Sequence, residues 1–154
     1  MNESNQSHKE SRYTMKKKNI YLSKEDHSVL NHLIQGLSAK IDTVFHLRSE
    51  LSRSIVLDAS EVPDDAIGLN SRVEIEDIES GEIESYILTL PGQSDFDAGR
   101  LSVLAPVGAG LLGYTEGDEI EWPTPGGVRR MRVLRVDRGA TENSFVDNSA
   151  KALR

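Results

Sequence analysis

The sequence contains no cysteine, and this absence excludes three kinds of chemistry. A disulfide framework, a zinc site built from thiolates and a cysteine nucleophile all need a residue that the chain lacks. Aromatic residues are scarce as well, at 5% of 154 positions, and only one of them is tryptophan. A chain without cysteine is compatible with a reducing compartment, and we expect a cytoplasmic protein.

Long hydrophobic runs are also missing. No window approaches the roughly 18 consecutive apolar residues of a membrane-spanning helix, so we expect no membrane association. The N-terminal residues 1–18 have no apolar segment after their charges, which argues against a secretory signal. This stretch is polar and aperiodic, and it predicts a disordered tail.

Positive charge is rare in the body of the chain. The formal net charge is −7, but residues 1–22 carry +3 and residues 64–137 carry −9. An acidic body repels the phosphate backbone of nucleic acids. We therefore expect no direct, sequence-specific DNA binding by the main domain, and the acidic surface is either solvated or complementary to a basic protein partner.

Two amphipathic helices are predicted within residues 19–60. Ser23 and Asp26 resemble a capping box, and apolar residues then recur at helical spacing until Gly36. A second helix is predicted over about residues 41–55, with one apolar face formed by Ile41, Val44, Phe45, Leu47 and Leu51. The pair predicts a short antiparallel hairpin, or coiled coil, with arms of ~20 Å at ~1.5 Å per residue.

Residues 64–137 are dominated by strand patterns. Alternation over 72–76 and a return over 83–90 predict two strands joined by a Ser80-Gly81 turn. A third strand over 101–104, a short helix over 106–112 and a last hairpin over 119–136 follow. The order predicts an α+β protein with an antiparallel sheet and one short helix, ending in a flexible tail over 138–154.

A set of short motifs in this region carries a family resemblance. In chain order they are Gly99-Arg100-Leu101-Ser102, Ala105-Pro106-Val107, Leu111-Leu112-Gly113, Gly117-Asp118 and Thr124-Pro125-Gly126-Gly127. Together they resemble the C-terminal domain of the GreA/GreB transcription elongation factors. Glu50-Leu51-Ser52-Arg53 and residues 69–73 and 101–108 look more like the Rnk (regulator of nucleoside diphosphate kinase) subgroup of that family.

This resemblance implies an FKBP-like fold for residues 64–137 and core RNA polymerase as the partner. The family's C-terminal domain docks at the rim of the polymerase secondary channel, and the helical hairpin points towards the channel. The resemblance places the candidate polymerase contact at Leu104, Ala105, Pro106 and Val107. We expect a monomeric regulator that competes with Gre factors for this docking surface.

The predicted hairpin tip departs from the cleavage factors of the family. Their tip carries two acidic residues that help hold a catalytic metal, whereas residues 35–42 contain only Asp42. We therefore expect a regulator without enzymatic activity. One alternative is an active transcript-cleavage factor, and another is an FKBP-like peptidyl-prolyl isomerase, which would need a concave aromatic pocket.

No other pattern indicates catalysis, a cofactor or a metal. The four histidines, at positions 8, 27, 32 and 46, lack ligand spacing and are interpreted as solvated surface. The glycines at 108, 110 and 113 do not match a phosphate-binding loop. Leu111 and Leu112 are expected in the core, and Asp118 is expected to cap backbone amides in a turn.

Overall fold

The computed structural model describes residues 19–139. The predicted tail over residues 1–18 lies outside this range, as does all but the first two residues of the predicted tail over 138–154. Within the described residues the chain forms three α-helices and seven β-strands, joined by short 3₁₀ turns. None of the helices described between residues 19 and 139 is long and apolar enough to cross a membrane.

Two helices of equal length follow the first strand, β1 (Tyr21–Ser23). The first, α1, covers Lys24–Gln35 and begins as expected, because the Asp26 backbone N–H donates to Ser23 Oγ at 3.0 Å. It ends at Gly36, which is its C-cap. The second, α2, covers Asp42–Arg53. Both helices therefore lie where the apolar spacing predicts them.

The two helices contact each other and are tied together at their base and again towards the loop that joins them. His27 Nε2 lies 3.3 Å from Leu51 O, and Arg48 Nη2 donates to Ile34 O at 3.4 Å. Strand β2 (Ile55–Leu57) follows α2 and pairs in parallel with β1. This two-stranded sheet was not predicted, because three-residue strands are too short to show an alternating pattern.

The main sheet has five strands in the order β5-β4-β3-β7-β6. These strands are β3 (Arg72–Asp77), β4 (Ile83–Thr89), β5 (Arg100–Ser102), β6 (Glu119–Thr124) and β7 (Gly127–Asp137). Three neighbouring pairs are antiparallel. The prediction of a wholly antiparallel sheet is wrong at one edge, where β4 and β5 run parallel. Two 3₁₀ turns, Pro91–Gln93 and Phe96–Ala98, bring the chain back along β4 in the same direction.

One hydrophobic core joins the helices to one face of the sheet. Its members come from β1, α1, α2, the sheet and the third helix, α3 (Pro106–Leu111). They include Ile20, Leu22, Leu30, Val44, Leu47, Leu51, Val73, Ile75, Leu88, Leu111, Leu112, Met131 and Val133. The opposite face of the sheet carries ion pairs instead, such as Arg132 with Glu119 at 2.8 Å and with Glu76 at 3.4 Å. This polarity follows from the alternation of side chains along each strand.

A half-buried carboxylate also ties α1 to the segment that leads into the sheet. Asp26 Oδ2 accepts a hydrogen bond from the Leu69 backbone N–H at 3.0 Å. Burial raises the pKa of Asp26 above its ordinary value, and the Leu69 bond and the charge of Arg138 partly oppose this. The acidic residue at the third helical position thus binds a distant backbone group.

The apolar face expected of α2 is narrower than the sequence suggests. Val44, Leu47 and Leu51 are buried, as expected, but Ile41 is 49% exposed and Phe45 is 64% exposed. The core therefore covers only one stripe of this helix. The interpretation of His46 as solvated surface is also wrong, because its ring packs against the sheet.

Candidate partner-binding site

The corner at residues 104–107 is the turn between β5 and α3. The Leu104 N–H donates to Ser102 Oγ at 3.0 Å, and the Ala105 N–H donates to Ser102 O at 3.0 Å. Ala105 is the N-cap of α3 in an extended conformation, which is the conformation favoured before proline. Pro106 then occupies the first turn, where its missing N–H costs no helical bond. The corner is thus fixed by local backbone chemistry.

Gly108 allows this turn to be so tight. A Cβ atom at this position would collide with the Ser102 carbonyl oxygen and lie 3.2 Å from Leu88 Cδ1. The first turn of α3 therefore packs directly on the end of β5, and any larger residue would force the helix away. The glycine at this position of α3 therefore reflects close packing.

The four candidate contact residues differ in their exposure. Pro106 is exposed, whereas Leu104, Ala105 and Val107 are half-buried. Leu104 and Val107 also pack against the core. Leu111 and Leu112 are buried at 1% and 0% exposure, which confirms that they belong to the core. The corner therefore exposes the Pro106 ring, and the half-buried residues on either side of it fix its position.

A second feature joins the helical unit to the sheet behind this corner. The His46 ring of α2 meets the Trp122 ring of β6 edge to face, with centroids 4.6 Å apart and planes at 85°. Gly110 of α3 lies against the same indole, since a Cβ there would be 2.8 Å from Trp122 Cε3. Burial lowers the pKa of His46, and its Nε2 has no hydrogen-bond partner among the described residues.

An ion pair with a buried carboxylate lies one helical turn further along α2. The Glu50 residue is 2% exposed, and its carboxylate accepts hydrogen bonds from Arg53 at 2.7 and 3.2 Å. Tyr114, which follows α3, lies beside this pair. Burial raises the pKa of Tyr114, the Glu50 charge raises it further, and Arg53 partly offsets both. The arrangement neutralises a charge inside the interface between α2 and the sheet.

The loop between α1 and α2 contains the other predicted site residue. Asp42 is the first residue of α2 and is exposed. The other acidic residues of the two helices lie elsewhere, because Glu25 and Asp26 are at the start of α1 and Glu50 is in the core. Within residues 19–139, the two helices and the loop between them thus place no second carboxylate at the tip.

Among residues 19–139, no group of three or more His, Asp or Glu side chains could hold a metal ion. Asp118 accepts bonds from the Thr115 N–H at 2.8 Å and from Thr115 Oγ1 at 3.2 Å, as expected of a turn cap. This residue therefore stabilises the loop before β6.

Sequence reasoning missed the contact between His46 and Trp122 and the pairing of the half-buried Tyr86 with the exposed Phe96. These two residues are ten positions apart in the chain, and their ring centroids lie 5.9 Å apart. For His46 a signal was available, since the position of Glu50 between Leu47 and Leu51 indicates polar groups at a buried interface. No short-range pattern relates Tyr86 to Phe96.

Comparison with known proteins places this structure among related chains. A family model described as "Transcription elongation factor, GreA/GreB, C-term" matches residues 62–138. The regulator of nucleoside diphosphate kinase from Escherichia coli K12 is 42% identical over 92 residues, which are 59% of this chain and 68% of that relative. GreA from Syntrophobacter fumaroxidans is 46% identical over 66 residues, or 43% of this chain and 42% of that one.

A solved structure agrees over a longer stretch. The prokaryotic transcription elongation factor GreA/GreB from Nitrosomonas europaea superposes with a TM-score of 0.68 at 38% identity. The match covers 79% of this chain and 99% of that chain. The similarity therefore extends beyond the segment matched by the family model.

Proposed function

The chain belongs to the GreA/GreB family of transcription elongation factors, and on this premise we propose that it binds core RNA polymerase and regulates transcription without stimulating transcript cleavage. Among its relatives are both a regulator of nucleoside diphosphate kinase and GreA proteins. The Rnk subgroup indicated by the sequence is consistent with these matches. A transcription-associated regulator is the function these relationships support.

The proposed contact is the corner of Leu104, Ala105, Pro106 and Val107. The observation that carries it is the exposure of Pro106 on a turn that Ser102 and Gly108 hold rigidly, inside the segment matched by the family model. A preorganised apolar surface loses little conformational entropy on binding. In our proposal this corner docks at the rim of the secondary channel, where it competes with Gre factors.

The proposal also assigns a role to the two helices. We assign residues 19–60 to a short hairpin directed towards the channel and residues 64–137 to an FKBP-like docking domain. Twelve-residue helices give arms of ~18 Å at ~1.5 Å per residue. The protein would act as a monomer in the cytoplasm, where its polymerase partner resides.

The absence of cleavage activity follows from the tip. A magnesium ion needs oxygen ligands in octahedral geometry and is usually held by one or two carboxylates with several waters. Asp42 is the only acidic residue from Gly36 to Thr43. A single exposed carboxylate is a poor anchor for an additional catalytic metal. The two helices would therefore lie at the channel without stimulating transcript cleavage.

Co-elution with core RNA polymerase tests this function. The full chain should migrate with core polymerase in size-exclusion chromatography at micromolar concentrations, and an excess of a GreA protein should displace it. A chain that elutes separately at every concentration would reject the polymerase as its partner. Co-elution that GreA leaves unchanged would place the contact on another surface.

A further inference from the structure

An exposed aromatic ring, Phe96, lies in the 3₁₀ turn before β5 and pairs with the half-buried Tyr86 of β4. Phe96 is 68% exposed, and its ring centroid is 5.9 Å from that of Tyr86, with the planes tilted by 33°. Phe96 belongs to the 3₁₀ turn that precedes β5, whereas Pro106 follows β5. Aromatic side chains, phenylalanine among them, are enriched at the core of protein interfaces.

The turn that presents Phe96 is preorganised. The Asp95 and Arg100 backbones exchange two hydrogen bonds of 2.9 Å, and Asp95 Oδ1 accepts from the Ala98 N–H at 3.3 Å. Gly99 closes the turn in the left-handed conformation, with φ of 80°. The position of the Phe96 backbone is therefore set before any partner arrives, which lowers the entropic cost of binding.

The chain segment that holds the aromatic pair is rich in acidic residues, and the basic residues that contact it, Arg100 and Arg129, are engaged in ion pairs. From residue 73 to residue 99 the chain has eight acidic residues and no Lys, Arg or His. Two nearby carboxylates are engaged within the fold, Glu84 by Arg129 at 3.4 Å and Asp95 by Arg100 at 3.6 Å. The exposed Asp97 makes no ion pair or hydrogen bond within residues 19–139, so it is available to an incoming cation.

We propose that the Phe96 turn, consisting of Asp95, Phe96, Asp97 and the adjacent Tyr86, is a docking surface for a basic polypeptide segment. An arginine or lysine of the segment lies over the Phe96 ring within about 6 Å of its centroid, where cations interact with aromatic faces. The same cation pairs with the Asp97 carboxylate. Single-stranded nucleic acid also stacks on aromatic rings, but its phosphates are repelled by this acidic surface.

A titration monitored by NMR tests the surface without the polymerase. The probe is the peptide acetyl-Gly-Arg-Gly-Arg-Gly-amide, added to the ¹⁵N-labelled full chain at low salt. We expect amide shifts to change at Phe96, Asp97 and Gly99. The same peptide with citrulline in place of arginine has similar shape without charge, and its binding should be roughly two- to fivefold weaker, the size expected of an exposed cation–π contact.

Two pairs of variants distinguish binding at the Phe96 turn from attraction of the peptide by the overall acidic surface. Phe96→Ala should weaken binding two- to fivefold, whereas Ile83→Ala, which removes a side chain of similar exposure (61%), should not. Asp97→Asn should weaken binding, whereas Glu79→Gln, at another exposed acidic position, should not. Thermal unfolding of each variant verifies that the fold is intact.

Several results would overturn the proposal. Changes in amide chemical shift that spread evenly over the acidic surface would show that the peptide associates with the overall negative charge and not with a specific site. Equal binding by Phe96→Ala and the unmodified chain would remove the aromatic anchor. Tighter binding of a short single-stranded oligonucleotide at the same turn would replace the basic polypeptide with a nucleic acid. None of these results depends on whether the corner at Pro106 binds RNA polymerase.

Discussion

The imidazole of His46 meets the indole of Trp122 edge to face at 4.6 Å, and this contact joins α2 to the outermost strand of the main sheet. His46 Nε2 is buried without a hydrogen-bond partner among the described residues, and burial lowers the pKa of the ring. The Glu50 carboxylate opposes this shift and the Arg53 guanidinium adds to it. The junction between helices and sheet is thus arranged for a neutral histidine.

The stability of the fold should decrease on mild acidification because of His46. Its pKa in the folded state lies below the value of about 6.5 of a free imidazole, so the unfolded state binds protons more tightly. The free energy of unfolding should be highest above about pH 6.5 and fall as the pH decreases towards the lowered pKa. Urea unfolding from pH 7.5 to pH 5, followed by the fluorescence of the only tryptophan, Trp122, measures this dependence.

Two variants isolate the His46 contribution. His46→Phe keeps an aromatic ring against Trp122 and should flatten the pH dependence, while His32→Gln removes an exposed histidine and should not. Asp26 contributes with the opposite sign, because its raised pKa means that protonation favours the folded state, but it does so at lower pH. An unchanged pH profile in His46→Phe would show that another group is responsible.

Gly110→Ala should destabilise the protein, although alanine is the better helix former. In an exposed helix the exchange would stabilise by up to about 1 kcal/mol. Here the added Cβ would lie 2.8 Å from Trp122 Cε3, and overpacking of this kind costs about 1–3 kcal/mol. Gly92→Ala, where no atom lies within 4 Å of the added carbon, is the matched control. A rise in the melting temperature of Gly110→Ala would contradict the packing against Trp122.

Local patterns in the sequence predicted most of the secondary structure. The Ser23 cap, the end of α1 at Gly36 and the β6–β7 hairpin all depend on residues close together in the chain. The parallel pairings of β4 with β5 and of β1 with β2 depend on long-range docking of very short strands. A strand of three residues is too short to show the alternating pattern that would have indicated these pairings.

The candidate site was predictable only in part, for a similar reason. The family motifs located the Pro106 corner, but they did not show that Gly108 holds it against Ser102. The exposure of Phe45 and the burial of His46 are set by which stripe of α2 faces the sheet. Tertiary packing sets this orientation, because helical spacing alone would allow any of several adjacent stripes of α2 to face the sheet.

The Glu50–Arg53 pair should behave non-additively. Arg53→Met leaves a carboxylate that is 2% exposed without its partner, which should cost about 3 kcal/mol, the lower end for broken buried pairs because Arg53 is partly exposed. The double variant Glu50→Gln with Arg53→Met removes the stranded charge and should recover part of this loss. Chemical denaturation of the unmodified chain, Arg53→Met, Glu50→Gln and the double variant completes the cycle. Additive losses would show that the two side chains stabilise the fold independently.

Polymerase binding should depend on the corner and not on the fold as a whole. Pro106→Ala and Val107→Lys should each weaken binding by about 1–2 kcal/mol, or roughly 5- to 30-fold in Kd, if the corner is an interface anchor. Pro125→Ala changes an exposed proline in the β6–β7 turn and should bind normally. Circular dichroism and thermal unfolding check that each variant is folded. Normal binding by both corner variants would move the contact to another surface.

The exposed Asp42 leads to the last prediction, which concerns transcript cleavage. In the proposed function, cleavage would need paired carboxylates at the tip to hold a magnesium ion, and among residues 19–139 the two helices bring only Asp42 there. Saturating protein should therefore leave the length of labelled RNA in backtracked polymerase complexes unchanged over time, while a GreA protein shortens it in the same assay. Asp42→Asn should bind polymerase with nearly unchanged affinity, because one exposed carboxylate contributes little at high dielectric. Rapid shortening that disappears in Asp42→Asn would mean that this single carboxylate does help to hold a catalytic magnesium ion, and the protein would then be an active cleavage factor.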